Sequence, residues 1–376
     1  MEPMEPPNDD EDKKNRFREA FERGQQGHVG SYDVWLTDHG FQPEQVSREQ
    51  LTDYFRNHPE KAANQEDELD EIAEYAGFVT RQQDIFHIPV VGPSGIGKTQ
   101  LLHTVVSFLT ELPEDIDTKL IDATEPGKKV DDGFLLDQFA NELAGFETPV
   151  VCIDDCGLDK RIRTSLTEFR QAVDSGLFVT TWTPERWTVN RDRIHDVLPP
   201  AKEIHLDAFP REDTQETLSV LFDVLSEDGF SLPAETAERI HALSEGIPRL
   251  IHILAVESLQ EAFRKELEPG DVAATNAAAK RLHLANASTR VQELSDSKLA
   301  VLKQILQLPN DRGVQPGTLV DELHRDKSTI SYHLRELSES GFVERDREGR
   351  RAFYRVTETM APLIQQRINQ EAEFNG

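Results

Sequence analysis

The sequence predicts an α/β fold: a parallel sheet carrying a glycine-rich loop, then a helical lid, then a C-terminal winged helix. Three observations predict it. An apolar run at 85–91 (Ile-Phe-His-Ile-Pro-Val-Val) leads into Gly92-Pro-Ser-Gly-Ile-Gly-Lys-Thr99, after which Leu101, Leu102, Val105, Val106 and Leu109 recur at helical spacing. Downstream, strand-length apolar runs alternate with helix-length amphipathic ones, as in parallel βαβ units. The chain then turns helical, and from about residue 293 it reads as three helices followed by two strands.

The chemistry of the glycine-rich loop is the most specific in the chain. Gly92, Gly97, Lys98 and Thr99 fill the pattern G-x-x-x-x-G-K-[ST] between a strand and a helix. Gly92, Gly95 and Gly97 let the backbone turn its N–H groups inward around a phosphate, and the helix N-terminus adds positive charge at the same point. The nucleotide-binding segment is therefore Gly92, Pro93, Ser94, Gly95, Ile96, Gly97, Lys98, Thr99 and Gln100, with ATP and Mg²⁺ as the expected ligands. Lys98 reaches the β- and γ-phosphates, and the Thr99 hydroxyl holds the metal.

The later strands supply the rest of such a site. Expected strands are 119–123, 149–155, 176–181 and a short one at 203–206, with helices at 134–143 and 162–173. Ligands of open α/β sheets bind at the carboxyl ends of the strands. There Asp154 is assigned to the metal and Asp155 to the attacking water. Thr181, at another strand end, is expected to touch the γ-phosphate or that water. From 211 to 292 the chain is a helical lid, in which Pro248 begins a helix and Arg249 stands ready to swing toward a phosphate. Arg161, Arg163, Arg186, Arg191 and Arg193 are expected on loops past the strand ends, one of them an arginine finger. His87 and His103 are expected to be packed or solvated. Trp182 and Trp187 are expected in the core or a loop, with adenine stacking as the alternative.

The C-terminal unit, 293–376, has a different purpose. Ile330, Leu334 and Leu337 face inward from a helix that Asp326 can cap. That helix exposes Lys327, Ser328, Thr329, Ser331, Tyr332, His333 and Arg335, suited to a major groove. Arg345, Arg347, Arg350 and Arg351 lie on or beside the hairpin that follows, suited to phosphates or a minor groove. Double-stranded DNA is the expected partner, and binding only protein is the alternative. Ahead of the core, residues 1–15 read as a disordered acidic tail and 16–78 as a polar helical extension.

Taken together, the loop, the acid-tipped strand (Walker B), the polar strand end and the Gly246-Ile-Pro-Arg249 lid segment resemble an AAA+ P-loop ATPase of the ASCE type, over about Asp84 to Thr357. The resemblance implies a core at 79–210 with strand order 5-1-4-3-2. The join at Gly270-Asp-Val and Leu294 to Leu302 resembles archaeal Orc1/Cdc6-type proteins, while the terminal unit is more similar to the ArsR/MarR-type helix-turn-helix. The sequence departs from that pattern in two places. Asp155 stands where Glu is usual, which implies slow hydrolysis, and no long insertion separates the loop from Asp154. STAND-type ATPases also carry Asp-Asp there.

Composition bounds the rest. The 376 residues carry 41 Lys plus Arg against 70 Asp plus Glu, a net charge of −29. Such a balance opposes nucleic-acid binding unless the acidity is that of a salt-accumulating halophile, here a haloarchaeal chain, with a local basic surface. Two cysteines, Cys152 and Cys156, make no disulfide framework and fit a reducing cytoplasm. No stretch is long and apolar enough to span a membrane. The expectation is an ATP-dependent DNA-binding protein related to replication initiators. The alternative is an ATP-gated transcription regulator or signalling switch with little hydrolysis. Protein partners and self-association remain open.

Overall fold

The computed structural model describes residues 28–62, 64–82, 84–112, 116–122, 143, 145–156, 162–308, 313–349 and 351–375. The acidic tail, the first part of the helical extension, most of the helix expected at 134–143, Arg161 and Arg350 lie outside them. Strand β1 (Ile85–Val91) is the hub of the sheet, because it pairs in parallel with β4 (Gly176–Trp182) on one side and β5 (Ile204–His205) on the other. Beyond β4 lie β3 (Pro149–Asp154) and then β2 (Asp117–Asp122), all parallel. The order is β2-β3-β4-β1-β5, the 5-1-4-3-2 arrangement expected from the sequence.

Every residue of β3 and β4 is buried, which explains why their text is apolar up to Asp154 and the Thr180–Thr181 pair. Among the described elements, three helices precede β1: α1 (His28–Asp38), α2 (Arg48–Asn57) and α3 (Glu66–Val79). On one face of the sheet, α3 and α4 (Lys98–Thr110) bury Ile72, Ala76, Leu101, Leu102 and Val105 against Ile88, Val90 and Val179. On the other, α5 (Ile162–Ala172) and α6 (Pro184–His195) bury Leu166, Phe169, Trp187 and Ile194 against Val151, Phe178 and Trp182. The arginines Arg163, Arg186, Arg191 and Arg193 therefore lie on helices, not loops. Arg186 donates to Leu306 O at 3.2 Å, and Arg191 pairs with Glu203 at 2.9 Å. Trp182 and Trp187 are buried in that second layer.

A third core joins the remaining parts. The lid consists of α7 (Arg211–Leu225), α8 (Ala234–Ser244), α9 (Pro248–Arg264), α10 (Val272–Arg281) and α11 (Ala287–Gln292). The C-terminal unit follows with α12 (Asp296–Gln307), α13 (Pro316–Leu323), α14 (Lys327–Glu339), the hairpin β6 (Val343–Glu348) and β7 (Arg351–Val356), and α15 (Ala361–Asn375). One apolar cluster runs from Leu36 and Phe41 through the lid residues Leu221 and Leu254 to Leu302, Leu334, Leu363 and Ile364. Backbone bonds reinforce it, as where Gln42 N donates to Leu225 O at 2.8 Å. Among the described residues no helix is long and apolar enough to cross a membrane.

His87 tests how dry the sheet interior is. Its ring bridges Leu198 O at 3.0 Å and Thr180 Oγ1 at 2.9 Å, and burial holds its pKa down from 6.5 to about 4. The unfolded chain takes up a proton below 6.5 that the native state refuses until about 4, so stability is full above that window and falls as pH drops through it. At pH 5 the loss from this group should reach about 2 kcal/mol. Denaturant unfolding at pH 7 and pH 5 should show it, and His87→Gln should lose that part of the pH slope. An unchanged slope in the variant would contradict the assignment.

Candidate functional site

The loop between β1 and α4 is built by close approach. Gly95 and Gly97 have φ of +78° and +110°, conformations that side chains disfavour. A Cβ on Gly92 would lie 2.9 Å from Ile96 Cγ2, one on Gly95 2.6 Å from Arg249 Cβ, and one on Gly97 2.7 Å from Gln65 Nε2. The glycines thus form the cradle and also admit the neighbouring units. Lys98 is buried, and its ammonium donates to Gly92 O at 2.7 Å and Pro93 O at 2.8 Å. Burial lowers its pKa to about 8, against the opposing pull of Asp155, Asp154 and Glu185.

Asp154 joins the ends of β3 and β4 to the first turn of α4. Its Oδ2 accepts from Thr99 Oγ1 at 2.6 Å and its Oδ1 from Thr181 Oγ1 at 2.5 Å. The Thr181 hydroxyl in turn accepts from the Asp155 N–H at 2.8 Å. Asp155 itself takes φ +52°, so the chain turns sharply just past β3 and the second acid leaves the strand direction. Thr181 thus lies between the two aspartates, where its hydroxyl holds the position of both.

The walls come from outside the core. Arg249, at the start of α9, donates its backbone N–H to Gly95 O at 3.1 Å and its Nη1 to Ser94 Oγ at 3.4 Å. Gln65, buried with φ +87° at the start of α3, covers Gly97. Gln100 Nε2 donates to Phe55 O at 2.9 Å, and Phe55 stacks on His252 at 5.3 Å. From the C-terminal unit, Gln365 Oε1 accepts from Ser94 N at 2.6 Å. Phe55, Lys61, Gln65, Gln100, His103, Asp155, Arg249 and His252 line a cavity of about 470 Å³ over the loop, and Gln365 lies outside that lining. Sequence reasoning missed Phe55, Lys61, Gln65, His252 and Gln365. Only the aromatic and basic text of 48–61 signalled any of them.

The residues proposed for DNA lie elsewhere. On α14, Lys327, Ser328, Thr329, Ser331, Tyr332 and Arg335 are exposed, and His333 is half-buried. Tyr332 donates to Glu336 at 2.6 Å, and the Arg335 guanidinium lies 5.7 Å from the Tyr332 ring. In the hairpin, alternation puts Arg345 and Arg347 on one face and Glu344, Asp346 and Glu348 on the other. Arg351 and Arg355 pair in register with Glu348 and Glu344, so they share the acidic face.

No family model matches the chain. It is similar to an uncharacterized HTH-type transcriptional regulator of Methanocaldococcus jannaschii, 23% identical over 182 residues, covering 46% of this chain and 44% of that protein. The match therefore spans less than half of that relative's length. Among solved structures the chain is similar to the Aeropyrum pernix ORC1 protein in complex with DNA (16% identity, 83% of this chain and 94% of that one, TM-score 0.49). It is also similar to the Aeropyrum pernix ORC2 protein in ADPNP-ADP complexes (14%, 82% and 94%, TM-score 0.48). A third is the Thermotoga maritima RuvB Holliday junction branch migration motor (19%, 79% and 93%, TM-score 0.44).

The aspartate–threonine geometry yields a prediction. Thr181→Val keeps the shape but strips a donor from Asp154 and an acceptor from the Asp155 N–H. It should destabilise the protein by about 2 kcal/mol, read from the denaturant midpoint, with Thr181→Ser recovering most of the loss. A valine variant as stable as wild type would argue against the bridging role.

Proposed function

We propose that this chain is an AAA+ ATP-binding switch whose nucleotide state governs how its C-terminal winged helix engages double-stranded DNA. One observation carries the proposal. Parts of the helical extension, the lid and the C-terminal unit all touch the Gly92–Thr99 loop, through Gln65, Arg249 and Gln365. A ligand in the loop therefore bears on every other unit of the molecule.

The cradle fits ATP with Mg²⁺. Loop N–H groups and Lys98 would hold the phosphates, and Thr99 and Asp154, already 2.6 Å apart, would hold the metal. The bound metal would neutralise phosphate charge. Asp155 would orient the attacking water, with Thr181 fixing both acids in place, and Arg249 would read the phosphates from the lid. An Asp where a longer Glu is usual favours slow turnover. Aromatic Phe55 and His252 give the cavity an apolar wall suited to a base.

For DNA, the exposed residues of α14 would enter the major groove, and Arg345 and Arg347 would meet phosphates from the acid-free face of the hairpin. Overall acidity of the halophilic kind would suppress nonspecific binding, so specificity would fall to Tyr332 and Arg335. The role is that of a replication-initiator-like ATPase. A second reading, an ATP-gated transcription regulator with little hydrolysis, is favoured by the similarity to an HTH-type transcriptional regulator.

Lys98→Ala should abolish ATP binding in calorimetric titration. Wild-type affinity in that variant would remove the nucleotide reading. Genomic fragments retained by the full chain should sediment at one class of site. Arg335→Ala should lower discrimination between sites by about 1–3 kcal/mol, whereas Arg345→Ala with Arg347→Ala should weaken all sequences alike and flatten the salt dependence. Retention of no duplex at low or high salt would leave a protein-binding switch instead.

A further inference from the structure

We propose that Gln365 is a latch: it docks the C-terminal unit on the phosphate loop, and a nucleoside triphosphate displaces it. This rests on the reading of the loop as a nucleotide site.

Gln365 is 3% exposed and sits on α15, 271 residues from its partner Ser94. Its carboxamide spans two groups. Oε1 accepts from the Ser94 N–H at 2.6 Å, and Nε2 donates to Glu185 Oε1 at 3.0 Å. The amide can bond only one way round, because an N–H needs the oxygen and a carboxylate needs the nitrogen. Glu185 is 1% exposed and also accepts from Thr183 Oγ1 at 2.7 Å. Its other oxygen, Oε2, is buried without a hydrogen-bond partner among the described residues. A buried carboxylate so sparingly bonded makes the Gln365 amide valuable to the docked state.

A second contact lies at the same cavity. Glu358, just before α15, pairs with Arg48 at 2.9 Å, and both residues line the cavity. The C-terminal unit thus meets the loop with an uncharged acceptor on the Ser94 N–H, and the cavity wall with the Glu358 carboxylate. A polyanion entering the cavity opposes both contacts. Its phosphate oxygens compete with Gln365 for loop N–H groups, and they compete with Glu358 for Arg48. Their charge also repels Glu358 and Glu185. Docking of 358–365 and triphosphate binding are therefore mutually antagonistic, and by linkage each weakens the other by the same factor. Leu363, Ile364 and Ile368 remain packed in the third core, so the expected movement is a shift of α15 off the loop that carries the winged helix with it.

The test uses the full chain and ATP with Mg²⁺. Gln365→Met keeps the volume but loses the acceptor, and should bind ATP about fivefold tighter than wild type, the worth of one neutral hydrogen bond. Glu358→Gln, at a half-exposed position, should tighten ATP in the same direction. In wild type, ATP should speed amide hydrogen exchange across 358–370. That measurement stands even if a variant folds poorly. Equal ATP affinity in all three proteins, with exchange at 358–370 unchanged by ATP, overturns the latch while leaving the nucleotide site intact. If wild type binds no ATP at all, the phosphate-loop reading fails and the latch fails with it.

Discussion

One buried carboxylate holds the corner around the glycine loop together. Asp154 closes β3, and its two oxygens take hydroxyl donors from Thr99 on α4 and Thr181 on β4. Thr99 lies in the first turn of the helix that follows β1 and Thr181 lies on β4, so the carboxylate ties the loop to the ends of β3 and β4. A carboxyl group buried in this way is tolerable only because both oxygens are bonded. The arrangement also explains the residue types. Threonine is β-branched and suits a strand end, yet it carries the hydroxyl that valine lacks. Asp155 can turn into the left-handed region at once because its N–H already has an acceptor in Thr181.

The strands themselves were legible because buried parallel strands are short, mostly apolar runs, and the glycine loop marks β1; their order came from the resemblance that those elements carry. Asp154 and Asp155 were legible as acids ending such a run. What the acids bond to was not, since Thr181 lies 27 positions from Asp154 and no periodicity links them. The helices α6 and α15 went unread for a related reason. α6 carries Arg186, Arg191 and Arg193 on text that is mostly polar, which hides its few buried anchors, Trp187 and Ile194. The part played by 28–79 was equally hidden, because Gln65 reaches Gly97 through a left-handed backbone that glutamine seldom adopts. Contacts made by single polar side chains over long sequence separations leave no pattern to find.

Charge patterning in the C-terminal unit follows a different logic from charge totals. The chain carries a net charge of −29, which as a whole repels a polyanion. The hairpin instead sorts its charges by face. Its period of two puts Arg345 and Arg347 together, while three acids share the other face with Arg351 and Arg355. Acids on that second face are partly neutralised across the strands, as where Arg355 lies 3.7 Å from Glu344. Exposed pairs of this kind contribute little to stability, so the sorting bears on what the surface can approach.

The lid is coupled to the loop through backbone, which makes the coupling stiff. Glu245 and Gly246 adopt φ of +53° and +72° in succession, and a Cβ on Gly246 would collide with the Phe209 carbonyl. Phe209 N donates to Gly246 O at 2.8 Å, tying the end of the core to this turn. Three residues later Arg249 N bonds Gly95 O at 3.1 Å, tying the start of α9 to the Gly92–Thr99 loop. A side chain can change rotamer without disturbing its neighbours, but these main-chain bonds cannot lengthen without moving the turn or the helix. Any change in the backbone at Gly95 must therefore be taken up by α9. Because α9 shares its apolar cluster with α12, α14 and α15, that displacement is passed on to the C-terminal unit by close packing.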